Sequence, residues 1–195
     1  MMHLENTKDT EIWDAFRAGN EPAFIFIREK YVRPLYRYAF RLCQNPDLAR
    51  EATADLLTDL WIKRERLGAT NNIGNYLYMS LRRRVVDEIT IRKRYVSSED
   101  SDFEILGGEQ AHPEKIITDS EEQEGLENMI NRALGTISER QREAIHLKFY
   151  AGKDYKEISE IMGLSSQSTY NLIHRALKAM RDVIKVVSIL IMLSV

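Results

Sequence analysis

Apolar residues recur along this chain at three- and four-residue spacing, the pattern of helices that each bury one face. Ile12, Trp13 and Phe16 predict a first helix. Phe24, Ile27, Tyr31, Leu35, Tyr38, Ala39 and Leu42 predict a second, started by Asn20 with Pro22 and bent or restarted at Pro34. Asn45, Pro46 and Asp47 mark a break. A third helix over 48–64 carries Ala52, Leu56, Leu57, Leu60 and Trp61 and runs out near Gly68 in a polar loop. A fourth begins around Asn75 and reaches about Arg94. No strand-like alternation and no internal repeat interrupts the pattern.

The most specific stretch lies at 154–181. Asp154 with Glu157 three residues on supplies the oxygens that satisfy a helix start, and Ile158, Ile161 and Met162 then share one side. Gly163 suits the turn and Leu164 the corner. Ser165 caps a second helix whose buried stripe is Thr169, Ile173, Ala176, Leu177 and Met180. Ser166, Gln167, Ser168, Tyr170, Asn171, His174, Arg175 and Lys178 fall outside that stripe. Short hydrogen-bonding side chains at the start of such a helix can reach base edges in a major groove, while Arg175 and Lys178 can hold phosphates. The alternative is a helical hairpin whose polar face meets only water. The coincidence of cap, glycine, corner leucine and polar face favours DNA. Upstream, Met129, Ile130, Ala133 and Leu134 predict one helix, and Ser138 starts another carrying Ala144, Ile145 and Leu147.

At 195 residues, 44% hydrophobic and 30% charged, the chain has material for one domain or two small ones and too much of it for wholesale disorder. The fold class is all-α: two small helical domains joined by an acidic flexible linker, the C-terminal one a helix-turn-helix. The expected boundaries are 1–96, a linker over 97–124, 125–186, and an apolar tail over 187–195. A linker of that length spans about 30 Å, close to one turn of DNA at roughly 34 Å. Cys43 is the only cysteine, which excludes a disulfide framework and a thiolate zinc site and points to a reducing cytoplasm. The N-terminus lacks the apolar core of a signal peptide. Residues 183–195 are nearly all apolar yet short of the roughly 20 that span a bilayer. They read as a helix end packed on the protein, a partner-binding tail or an interfacial membrane contact, and no membrane span is expected.

The net charge of −2 says nothing for nucleic acid, but its distribution does. Arg82, Arg83, Arg84, Arg92, Lys93 and Arg94 crowd one stretch against Asp87 and Glu88, and a strongly acidic stretch follows. With Asn75, Tyr76, Tyr78 and Met79 ahead of them, these arginines suit single-stranded or opening DNA, where aromatic faces stack on bases; the tyrosines could instead belong to the core. On the third helix Glu51, Asp55 and Asp59 repeat every four residues. Such a stripe is a solvated face, a docking face for a basic partner, or, with no histidine near, much less readily a metal site. The scattered histidines and the lack of a glycine-rich phosphate loop assemble no catalytic set, and neither metal, cofactor nor small-molecule substrate is expected.

Over about 23–94 and 126–181 the chain resembles bacterial RNA polymerase sigma factors of the extracytoplasmic-function (ECF) type, within the sigma-70 family. The stretch AFIFIREKYVRPLYRYAFRLCQNPDLAREATADLLTDLW resembles the helices that grip the polymerase clamp, and NYLYMSLRRRVVDEITIRKR the helix that recognises and melts the −10 element. LGTISERQREAIHLKFYAGKDYKEISEIMGLSSQSTYNLIHRALKAMR resembles the −35 reader. The resemblance implies that Glu51, Asp55 and Asp59 face the clamp. It implies that the loop 68–75 helps hold a flipped −10 base, with Tyr76, Arg82, Arg83 and Asp87 along the melting helix. It also implies three partners, namely core RNA polymerase, promoter DNA and an anti-sigma factor. Ala54, Arg83 and Thr169 stand where the family usually has Gln, Asn and Val. A stand-alone helix-turn-helix regulator of duplex DNA and a helical scaffold are the competing readings.

Overall fold

The computed structural model describes residues 7–98, 130 and 133–193, with side chains described through 92 in the first stretch and 182 in the last. All regular structure among these residues is helical. The chain divides into two units, Met1–Glu109 and Gln110–Val195. The expected linker over 97–124 lies, from residue 99 onward, outside the described residues.

The first unit holds α1 (Asp9–Arg17), α2 (Glu21–Cys43), α3 (Pro46–Ile62) and α4 (Ile73–Ser98). Asn20 starts α2 by accepting the Ala23 N–H at 2.9 Å, and Asn45 starts α3 by accepting that of Leu48 at 2.9 Å. Each asparagine is followed by a proline in the first turn, where the missing N–H costs nothing. α2 packs on α3 and α4, and α1 packs on α2. Trp13, Phe16, Ile27, Leu35, Tyr38, Leu77 and Leu81 are fully buried between them. α2 runs through Pro34 without a restart, contrary to that alternative, and Ile27 on one side with Leu35, Tyr38 and Ala39 on the other anchor it in the core. α3 ends at Ile62, and residues Arg64–Arg66 form one 3₁₀ turn rather than more α-helix.

In the second unit, α5 (Glu139–Phe149) and α6 (Tyr155–Met162) pack on α7 (Ser166–Leu193). α5 begins with a full capping box between Ser138 and Gln141. Ala133, Ile137, Ala144, Leu147, Ile158, Ile173 and Ala176 form its core. The backbone of α7 continues helical to Leu193, whereas the side chains of the apolar tail lie outside the described residues.

Candidate nucleic-acid interface

α6 and α7 are set at their angle by backbone chemistry legible in the residues. Asp154 accepts the Glu157 N–H at 2.8 Å while the Glu157 carboxylate accepts that of Asp154 at 2.8 Å. At the other end Gly163 takes a left-handed φ of 62°. Its N–H reaches the Glu160 carbonyl at 3.3 Å and that of Leu164 reaches Ser159 at 2.8 Å, the paired bonds of a Schellman turn. Ser165 then accepts the Ser168 N–H at 3.1 Å and starts α7.

Thr169, Ile173 and Ala176 face inward, and the Thr169 hydroxyl, 0% exposed, donates to the Ser165 carbonyl at 3.0 Å. Leu177 departs from the expected buried stripe at 37% exposed. α7 is 28 residues long and outruns the eight-residue α6 it lies against. Ser166, Gln167, Ser168, Tyr170, Asn171, His174, Arg175 and Lys178 are all exposed. The Gln167 amide donates to Asn171 Oδ1 at 3.2 Å, and Tyr170 stacks on His174 at 6.0 Å. Tyr170 also meets Tyr155 of α6 at 5.8 Å, over whose ring Lys148 of α5 lies at 4.8 Å. Sequence spacing does not reveal this Lys148–Tyr155 support, because its members sit on separate helices.

The basic stretch on α4 sorts differently. Tyr78 is core, its ring tilted against that of Tyr38 at 5.0 Å, and burial pushes its hydroxyl pKa up to about 12. Asn75, expected at the nucleic-acid face, is 7% exposed in the free chain, in the buried first turn of α4 beside Ile73 and Leu77. Tyr76 is half-buried and packs on Trp13 at 5.1 Å. Arg83 and Asp87 are exposed and face each other at 3.9 Å, Arg82 is half-buried, and the exposed Arg92 donates to Glu88 at 2.9 Å. The side chains of Lys93 and Arg94 lie outside the described residues.

On α3, Glu51 and Asp55 are exposed, but Asp59 is only partly so. Arg84 of α4 crosses to bond Asp59 and to meet Asp55 at 3.4 Å, and Lys63 reaches Asp59 at 3.0 Å. Hydrogen bonds from Lys63 and then Arg84 hold the Asp59 carboxyl below its ordinary value. Asp59 at the end of the acidic stripe and Arg83 and Arg84 of the basic stretch, separate in sequence, thus line one cleft of about 530 Å³ with Leu56, Tyr76 and Asp87. No group of metal-ligating residues occurs among the described residues. No helix among them is long and apolar enough to cross a membrane.

The family description "Sigma-70 region 2" matches residues 27–95, and "Sigma-70, region 4" matches residues 127–180. The structure is similar to that of the sigma factor RpoE in complex with the anti-sigma factor NepR from Bartonella quintana. The TM-score is 0.65 at 23% identity, covering 85% of this chain and 96% of that one. It is also similar to CnrH in complex with the cytosolic domain of CnrY, with a TM-score of 0.61 at 15% identity, covering 91% of this chain and 97% of that one. No curated protein sequence matches the chain.

Proposed function

This chain belongs to the sigma-70 family, with region 2 followed by region 4, and from that premise we propose how its surfaces divide the work of a sigma factor. It binds core RNA polymerase and directs promoter recognition and DNA melting in bacterial transcription initiation. The observation that carries the DNA-facing half is the outward set on α7, eight polar or basic side chains exposed over a capped helix-turn-helix. Gln167 and Asn171 read base edges of the −35 element, and Arg175 and Lys178 hold its phosphates. Arg82, Arg83 and Arg92 on α4 track the −10 strand, with the half-buried Tyr76 beside them. Glu51 and Asp55 form the outward part of the docking face for a basic surface on the polymerase, with Asp59 behind them. The domain division is one body for clamp and −10 element, one for the −35 element, and an acidic connection between them.

The matched make-up fits the ECF type. Such a protein works beside the polymerase in the cytoplasm and leaves the chemistry of synthesis to it. Because RpoE was solved with an anti-sigma factor and CnrH with CnrY, the same kind of protein partner is assigned to this chain. The test is run-off transcription with core polymerase on a promoter library, paired with a gel shift of the chain alone. A sigma factor gives discrete, core-dependent start sites and little shift by itself. A tight shift without polymerase and no core-dependent transcript would instead identify a free-standing regulator. Charge reversal of Glu51, Asp55 and Asp59 to Lys should abolish co-elution with core polymerase while helicity is kept, and unchanged affinity would remove the docking face.

A further inference from the structure

α1 lies ahead of the matched residues 27–95, so the family match gives it no role. The structure ties it to the loop between α3 and α4 at both of the loop's ends. The Trp13 indole N–H donates to the Gly68 carbonyl at 2.8 Å, and Asp9 Oδ2 accepts the Ile73 N–H at 2.8 Å. Trp13 is 0% exposed and packed on Phe16, so its indole cannot swing away. The Ile73 N–H is one of the donors that a helix start leaves unpaired, and a carboxylate there also meets the positive end of the helix dipole. Unusually, that carboxylate comes from another helix rather than from the cap residue. Between the two ties the loop is knotted on itself. The Asn72 N–H donates to the Thr70 hydroxyl at 3.2 Å, and Asn72 Oδ1 accepts the Asn75 N–H at 2.8 Å. Between those ends Ala69 and Asn71 stay exposed at its tip.

A loop staked at both ends with an open tip is organised before anything binds it, so capture of a ligand there costs little further ordering. We infer that Asp9 and Trp13 are positioning residues, which hold this loop in shape to receive an unpaired base as the −10 element opens, without touching DNA themselves. This rests on reading the chain as a sigma factor whose 68–75 loop meets that base.

The experiment uses the full chain with core polymerase and a promoter recovered from the library, in Asp9→Ala, Asp9→Asn and Trp13→Phe variants. Asp9 is half-exposed, so its replacement does not threaten folding, and asparagine keeps an acceptor oxygen. Hydrogen exchange of the 67–73 amides in the free chain should accelerate in Asp9→Ala and Trp13→Phe, and return toward wild type in Asp9→Asn. Opening of fully duplex promoter should fall about tenfold in the first two. Polymerase affinity should hold, and a template already unpaired at the −10 element should restore output. Unchanged loop exchange, unchanged duplex opening, or an equal loss on duplex and unpaired templates would overturn the inference. Should the wild type give no core-dependent transcript, the sigma-factor reading itself fails, while the exchange measurement still decides whether α1 braces the loop.

Discussion

Replacing Arg84 with methionine removes the guanidinium that joins α4 to α3 while keeping most of the side chain's apolar stem. Arg84, Asp59 and Asp55 retain 33%, 36% and 56% of their side-chain exposure, so water screens the contacts. Exposed pairs contribute about 0.2–1 kcal/mol, and a shared guanidinium places this network toward the upper end. A double-mutant cycle with Asp59→Asn should therefore give a coupling of about 0.5–1 kcal/mol at neutral pH. Hydrogen bonds from Lys63 and then Arg84 depress the folded pKa of Asp59 below the ordinary carboxylate value, so its contribution is present above the unfolded pKa and is lost as pH falls through the folded one. The coupling should be full at neutral pH and fade in acid as the Asp59 carboxylate takes up its proton. Lys63 still bonds Asp59 in the Arg84 variant, so acid sensitivity should shrink there rather than vanish. Both tryptophans, Trp13 and Trp61, lie in the first unit, which lets urea unfolding followed by tryptophan fluorescence isolate that unit. A coupling indistinguishable from zero at neutral pH, or one undiminished in acid, would refute a bridging role for Arg84.

Gly163→Ala meets no neighbour within 4 Å, so its cost is the left-handed φ alone, about 1–2 kcal/mol, and should appear as a lower melting temperature of the second unit by circular dichroism. Thr169→Val should be close to neutral in the same melt, because the Ser165 carbonyl keeps the Thr169 N–H at 2.9 Å when the hydroxyl is gone; a loss above about 2 kcal/mol would contradict this. Arg175→Ala should weaken holoenzyme binding to all −35 sequences alike and lower the salt slope by about one, whereas Gln167→Ala should relax base preference by about 1–3 kcal/mol in a binding selection. A reversed pattern would exchange their roles.

What could be read from the residues was what is local. Asn20 with Pro22, Asn45 with Pro46, and the Asp154, Glu157 and Gly163 set all act within four or five residues, so spacing alone reveals them. The outward side of α7 was legible for the same reason. Contacts that close over long stretches were not: Trp13 meets Gly68 across 55 positions and Arg84 meets Asp59 across 25. The burial of Asn75 and Tyr78 was not legible because α4 is buried on a broad side, where its periodicity does not separate core from surface. Leu177 shows the opposite limit, since its place in an apolar stripe predicts burial and it is 37% exposed beside the fully buried Ala176.

α7 separates two demands that many helices must satisfy with the same residues. Thr169, Ile173 and Ala176 keep the unit folded, and the side chains pointing away from them take no part in that core. Surface replacements of this sort usually shift stability by less than about 0.5 kcal/mol. Descendants of such a gene could thus drift to new target sequences one substitution at a time, with no intermediate that fails to fold.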